Sequence, residues 1–354
     1  MSVFGRKKKT AQAKPVEIIT EKAEDKKGVA TMEKKKIAVL TSGGDAPGMN
    51  AVVRAVTRTA IAKGYDVIGF NRGYEGLISM DYQKLELRSV SDTLQRGGTI
   101  LCTARSKAFT TDDGVKKGAE NLKALNVEGI VVVGGDGTFR GALALAKEYP
   151  ELSVVGVPGT IDNDISCSDY TIGFDTAVNT AMEMIDKIRD TTESHGRCSI
   201  VEVMGRNAGF IAVEAGIACG ATAILVPEEE PFDREALANR LVEIQNTGKR
   251  HFIIIVAEGV NYSGLEEYLA EKAGVEVRTT ILGHVQRGGL PTARDRLIAT
   301  EMGYRAVELI DGGCGSRVVA IKDSKLVDYG MTEALNMKKT LDPELLKIAK
   351  TVSI

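Results

Sequence analysis

PGTIDND, residues 158–164, follows a largely apolar run at 152–157 and sets two carboxylates, Asp162 and Asp164, in the turn just beyond it. Two other stretches have the same build. GGDGT at 134–138 follows the apolar run 129–133, and SGGDAPG at 42–48 follows 37–40. A short aliphatic run ending in glycines and carboxylates reads as a strand of a parallel sheet, covered on both faces, with its carboxyl end open to a ligand. Three such ends imply one phosphate and metal site along a single sheet edge.

Outward from that edge, periodicity predicts strands at 36–40, 66–70, 129–133, 152–157, 197–203, 223–226, 251–257 and 317–322. Helical spacing falls at 50–63, 113–125, 139–148, 174–191, 209–219, 234–245, 294–309 and 343–350. RGYEG at 72–76 reads as a surface loop, 94–109 as a loop presenting Arg105, and 278–289 as an apolar strand running into basic residues and glycines. Repeated strand, glycine turn and helix units define an α/β fold. The expected architecture is two similar three-layer α/β domains with parallel-rich sheets and an active-site cleft between them.

Composition narrows the function. The 354 residues are 43% hydrophobic and 27% charged, with 38 glycines and no tryptophan, a balance suited to tight loops that approach ligands closely. Net charge is −2, but residues 1–36 hold 11 Lys/Arg against 5 Asp/Glu, so they carry +6 and the remainder −8. Nucleic acid is therefore not the expected partner. The stretch 1–33 reads as a mobile, solvated basic tail, and acidic residues 17, 21, 24 and 25 break up any targeting pattern within it. Five cysteines without close metal-ligand spacing, and no secretion signal, fit the reducing cytoplasm. No apolar stretch approaches the ~20 residues of a membrane span.

The glycine turns at 43–44 and 134–137 expose backbone amides that can cradle phosphate. Neither is a Walker loop, and GGDAPG lacks the order of a dinucleotide fingerprint. Asp136, Asp162 and Asp164 allow a division of labour in which one carboxylate holds Mg2+ and another accepts a proton from an attacking alcohol. The competing reading for Asp162 and Asp164 is turn stabilisation through Asx hydrogen bonds. Arg105, Arg197, Arg206, Arg278 and Arg287 are candidate phosphate forks, with Arg206 and Arg287 embedded beside glycines. His284 is either a substrate donor or a structural histidine, and no His/Cys arrangement supports zinc.

Taken together, TSGGDAPGMN, GGTILCTAR, GGDGTFRGA, PGTIDNDI, YTIGFDTA, VEVMGRNAG, AEG and LGHVQRGG occur in one order over about residues 35–350. In that combination the chain resembles the ATP-dependent, bacterial-type 6-phosphofructokinase family. The resemblance implies transfer of the ATP γ-phosphoryl group to the 1-hydroxyl of fructose 6-phosphate, the committed step of glycolysis. It implies Asp162 as base, Asp136 as the Mg2+ carboxylate, and Asp164 as a supporting acidic group. Arg206, Thr160 and Arg105 would assist the transferring group, and Gly44 would lie against its phosphates. Tyr74, Ser106, Gly137, Thr138 and Gly141 would complete the nucleotide site. Met204, Gly205 and Glu258 would meet the sugar, and His284 and Arg287 its 6-phosphate.

Arg197 and Arg278 resemble arginines that reach in from a neighbouring subunit, which implies a homotetramer with shared sites. An ATP-binding domain at 34–172 plus 286–336 and a sugar-phosphate domain at 173–285 plus 337–354 follow from the same resemblance. Gly137 and Gly159 mark ATP use, because diphosphate-dependent relatives usually carry an acidic residue and a lysine there. Thr110 stands where a nucleotide-side arginine is expected. Arg54, Arg58, Arg189 and Lys249 resemble part of a subunit-interface effector site for ADP and phosphoenolpyruvate, while Asp81, Leu87, Thr222 and Thr247 depart from it, implying an altered response. A diphosphate-dependent enzyme, another sugar-phosphate kinase, an NAD or lipid kinase sharing GGDGT, and a ligand sensor are the alternatives.

Overall fold

Aliphatic residues dominate the central strands. In the computed structural model, which describes residues 34–353, β1 (Lys36–Thr41) is buried at every position but its first. Such strands are covered on both faces. The chain then runs through α1 (Met49–Ala62), β2 (Asp66–Phe70), α2 (Tyr74–Ser79), β3 (Tyr82–Leu85), α3 (Asp112–Ala124), β4 (Val127–Gly134), α4 (Asp136–Glu148) and β5 (Ser153–Pro158). A long α5 (Phe174–His195) leads into β6 (Cys198–Val203), α6 (Phe210–Ala218), β7 (Ala223–Leu225), α7 (Arg234–Asn246), β8 (Phe252–Ala257), α8 (Leu265–Ala273) and β9 (Val277–Ile281). Next come α9 (Ala293–Asp311), β10 (Arg317–Lys322), β11 (Lys325–Gly330), α10 (Met331–Asn336) and α11 (Pro343–Val352). The expected tail at 1–33 lies outside the described residues.

Two sheets result, with strand orders β11-β10-β5-β4-β1-β2-β3 and β7-β8-β6-β9. The smaller sheet is entirely parallel. In the larger one the interior pairs are parallel and only the edge strands β3 and β11 run antiparallel. Ile37, Val39, Val131 and Val133 enter one core, while Ala38, Leu40, Ile130 and Val132 enter another, so helices cover both faces. On one face α1 and α9 approach so closely that a Cβ on Gly303 would lie 2.8 Å from that of Ala55. The core on that face continues into Ile200 and Val201 of the smaller sheet.

Several sequence expectations need correction. RGYEG is not a surface loop: Tyr74 begins α2 and is only 5% exposed. GGDGT is not wholly a turn, since α4 begins at Asp136, where a carboxylate suits the positive helix end. β9 is exposed at Arg278 and Ile281 rather than a uniformly apolar strand. β3, β11, α8 and α10 escaped notice. YQKL and KLVDYG carry their polar residues along sheet edges, where only partial burial is required and the apolar signal fades.

Gly173, the residue before α5, lies in the left-handed region and offers no capping side chain. Asp295, in the first turn of α9, supplies the acceptor. It takes hydrogen bonds from Gly173 N (2.7 Å), Thr176 N (2.9 Å), Thr176 Oγ1 (2.5 Å) and Tyr170 Oη (2.5 Å). Burial nevertheless pushes its carboxyl above the usual range, against these donors.

Candidate active site

Ladder register aligns the three motifs. Thr41 pairs with Val133, and Gly134 with Pro158. The segments that follow β1, β4 and β5 therefore leave one edge side by side, at strand spacings of about 4.8 Å. β2 and β4 flank β1 on opposite sides, so the crevice lies at a switch in strand order, where α/β sheets bind ligands. In the smaller sheet Val203 pairs with Ala257 and Glu202 with Ile281. That register collects Met204–Arg206, Glu258 and the segment leading to His284 and Arg287 at a second edge.

A cleft of about 540 Å³ is lined by Gly43, Gly44, Tyr74, Arg105, Ser106, Asp136, Gly137, Thr138, Gly141, Thr160, Asp162, Asp164, Arg206 and Arg287, all singled out from the sequence. Phe109, Val115 and Ala144 add an apolar floor. Tyr74 and Phe109 stack there, with centroids 4.0 Å apart and planes 8° from parallel. The Tyr74 hydroxyl donates to Thr138 O at 2.6 Å, and its burial raises the phenol pKa. Gly141 admits this ring, since a Cβ would come 3.0 Å from it.

Asp162 is 1% exposed, and its Oδ1 has no hydrogen-bond partner. Oδ2 faces Arg206 Nε at 3.6 Å, and the Asp162 backbone N–H donates to Thr160 Oγ1 at 3.2 Å. Burial raises its pKa, Asp164 adds to the rise, and Arg287 and Arg206 oppose it. Asp164 is likewise raised by burial, with Arg206 the main opposing charge. Between them Asn163 takes the left-handed conformation (φ 51°), and both flanking aspartates line the cleft.

Arg206 is also left-handed (φ 57°), after Gly205 at φ 140°. Its backbone N–H donates to Glu258 Oε2 at 3.1 Å, so Glu258 shapes the arginine's turn. Buried Gln286 joins the neighbouring strand ends, accepting from Met204 N at 3.4 Å and donating to Gly283 O at 3.2 Å. Arg287 bridges the two edges: its Nη1 donates to Asp45 O at 3.3 Å. A Cβ on Gly44 would lie 2.5 Å from that nitrogen, so this glycine makes room for the guanidinium.

Met204, Gly205, Glu258 and His284 stand at the second edge but do not line the cleft itself. Arg197 and Arg278 lie farther away, at the amino ends of β6 and β9. Both bond Glu276, Arg197 through Nε at 2.8 Å and Arg278 through Nη2 at 2.6 Å, and together they hold that carboxyl below its usual range. Among the described residues no group of three or more His, Cys, Asp or Glu forms a metal cage. Exposed Asp136 at the start of α4 instead offers one carboxylate beside the glycine turns that line the cleft. That donor set fits Mg2+, which keeps waters and binds through one or two carboxylates plus phosphate oxygens.

A phosphofructokinase family model matches residues 36–310. The chain belongs to the phosphofructokinase family. This family member is 52% identical over 322 residues to the ATP-dependent 6-phosphofructokinase of Clostridium tetani, covering 90% of this chain and 99% of that protein. It is 51% identical over 320 residues to the enzyme of the same name from Clostridium botulinum strain Hall, again covering 90% and 99%. The solved phosphofructokinase of Saccharomyces cerevisiae superposes with a TM-score of 0.81 at 37% identity, over 91% of this chain. This chain spans 48% of the length of that yeast chain.

The sequence reading overlooked Phe109, Gln286, Asp295 and Lys339. Their surroundings come from distant segments, and no local pattern marks a buried glutamine or a half-buried lysine as paired.

Proposed function

We infer that this chain is an ATP-dependent 6-phosphofructokinase, converting fructose 6-phosphate and ATP to fructose 1,6-bisphosphate and ADP in glycolysis. The observation that carries the reading is the buried Asp162 carboxylate, with one oxygen unpartnered and the other facing Arg206 in a cleft built on phosphate-binding turns.

In the proposed mechanism Asp162 accepts the proton of the sugar 1-hydroxyl. The hydroxyl oxygen forms a bond to the γ-phosphorus, the bond from that phosphorus to the β–γ bridging oxygen breaks, and ADP leaves with the electron pair. A pKa raised by burial makes Asp162 a stronger base than an exposed carboxylate. Arg206 and Arg105 offset charge on the transferring oxygens, while Thr160 and the amides of Gly43, Gly44 and Gly137 orient them. Mg2+ held by Asp136 would neutralise phosphate charge when bound. The Tyr74 and Phe109 stack, with Ser106, Thr138 and Gly141, would receive the nucleotide, and the space beside Gly137 is open to it. Asp164, Met204, Gly205 and Glu258 would hold the sugar, with His284 and Arg287 on its 6-phosphate.

Arg197 and Arg278 would serve the site of a neighbouring copy. Exposed Ile281, Val285, Leu290 and Leu297 support such a contact, because apolar side chains 56–69% exposed around β9 and α9 favour burial against another chain. The expected assembly is a homotetramer of chains divided at 34–172 plus 286–336 and 173–285 plus 337–354. An altered effector site is proposed around Arg54, Arg58, Arg189 and Lys249. Arg58 Nε is buried without a partner, and burial and then Arg189 lower the Lys249 pKa, so the group favours an anion. No described helix is long and apolar enough to cross a membrane, and we place the enzyme in the cytoplasm.

A coupled assay with fructose 6-phosphate and Mg2+, run with ATP and diphosphate side by side, tests the reading. Product with ATP alone is expected. Preference for diphosphate would overturn the donor, and turnover with neither would overturn fructose 6-phosphate as the substrate and point to another sugar phosphate or a ligand sensor.

A further inference from the structure

Lys339 lies in the segment joining α10 to α11, outside the cleft, yet it reaches the back of the acidic turn. Its Nζ donates to Asn163 O at 2.7 Å, Asn163 Oδ1 at 2.9 Å and Ser168 O at 2.7 Å, and it stands 4.8 Å from the centre of the Phe210 ring. An ammonium has three N–H donors, so all three are used, and no acceptor is needed in return. A neutral amine has only two and would turn its lone pair toward one of those oxygens. Asn163 is the left-handed residue between Asp162 and Asp164. Asparagine enters that conformation more readily than other non-glycine residues, and the two bonds from Lys339 to its carbonyl and side-chain oxygens hold it there.

We propose that Lys339 is a positioning residue for phosphoryl transfer, acting through Asn163 to fix where the Asp162 carboxylate lies; the proposal rests on Asp162 being the proton acceptor.

The charged and titratable groups around Lys339 are Asp164, Cys167 and Asp169 on the loop, Lys322 on β10 and Glu214 on α6. Burial brings the ammonium down to about 8, while Asp169 and Asp164 pull it upward and Lys322 downward. The three-donor lock is therefore lost as pH rises through that value. Stability moves the other way for this group. Its folded pKa is below that of a free lysine, so between the two the unfolded chain binds more protons and unfolding becomes harder as pH rises. Loosening of the turn is thus distinguishable from unfolding.

The test measures kcat, KM for fructose 6-phosphate, and Tm from pH 6 to 9.5 for the wild type, K339M and K339R. Wild-type kcat is expected to fall on an alkaline limb near pH 8 without a matching fall in Tm. K339M should lose about tenfold in kcat at pH 7, with KM within about threefold, and should lack that limb. K339R, which stays charged, should recover most of the turnover and shift the limb beyond pH 9. A K339M enzyme within twofold of wild-type kcat, or one keeping the same limb, overturns the proposal. Should K339M fail to fold, an unchanged limb near pH 8 in K339R overturns it instead. A wild-type chain without turnover would overturn the kinase reading and this proposal with it, whereas wild-type turnover with an unaffected variant overturns this proposal alone.

Discussion

Arg206 holds its Nε 3.6 Å from Oδ2 of Asp162, pairing a side chain that is 56% exposed with one that is 1% exposed. The asymmetry matters for the chemistry. The exposed guanidinium is free to turn toward a phosphate, while the carboxylate stays fixed in the cleft wall. Arg206 also lowers the Asp162 pKa, so turning away would raise the proton affinity of that carboxylate.

Asp162→Asn removes the proposed proton acceptor, and kcat is expected to fall by about 10²–10⁴-fold. Stability should move in the opposite direction. The folded pKa of Asp162 is raised, so its favourable protonated state is present at low pH and lost as pH rises through that value. Asparagine imitates the protonated form. Its Tm should exceed the wild type at pH 7, with the gap closing toward acid, as thermal melts across pH will show.

Arg206→Ala should lower kcat by about 10²-fold, the usual loss of one donor to a developing charge. It also removes a cation that lowers the Asp162 pKa. The acid limb of the kcat profile should therefore move to higher pH. A limb that stays in place would mean that the pair does not set the base's proton affinity.

The two nucleotide-side glycines should behave differently. A Cβ at Gly137 meets nothing within 4 Å, so Gly137→Asp should fold normally and raise the KM for ATP about tenfold, or ~1.4 kcal/mol. A Cβ at Gly159 would lie 2.8 Å from Val133 Cγ1 and 3.3 Å from Met49 Cε. Gly159→Lys should lose about 1–3 kcal/mol through overpacking, with Val133→Ala restoring part of it. Denaturant melts and ATP titrations separate the two effects.

Asp295→Ala leaves the buried donors of Tyr170, Gly173 and Thr176 without their acceptor. A loss of about 3 kcal/mol is expected, read as a lower denaturation midpoint. Activity per folded molecule at 20 °C should stay near wild type, since Asp295 stands outside the cleft.

Strand and helix identity was legible wherever one residue type dominates a run. The strand 66–70 and the strand 317–322 were read with the bounds they have, and the apolar run read as a strand at 251–257 is β8, one residue shorter and buried at all six positions. Tyr74 shows where local reading stopped. RGYEG is polar enough for a loop, but contacts with Phe109 and Thr138, 35 and 64 positions away, bury its tyrosine. Asp295 and Lys339 were silent for the same reason, since each satisfies backbone and side-chain groups more than 100 residues distant.

The sequence by itself determined the parallel α/β plan, the glycine turns at the strand ends and the chemical types present in the cleft, because these follow from local hydrophobic period, glycine placement and side-chain chemistry. Only the tertiary structure decided that Asp162 is buried with one oxygen unpartnered, that Arg287 crosses to Gly44, and that Asp295 and Lys339 hold turns from behind. Burial and pairing are set by whichever distant segments the fold brings within a few ångströms, and that proximity is not written in any local stretch.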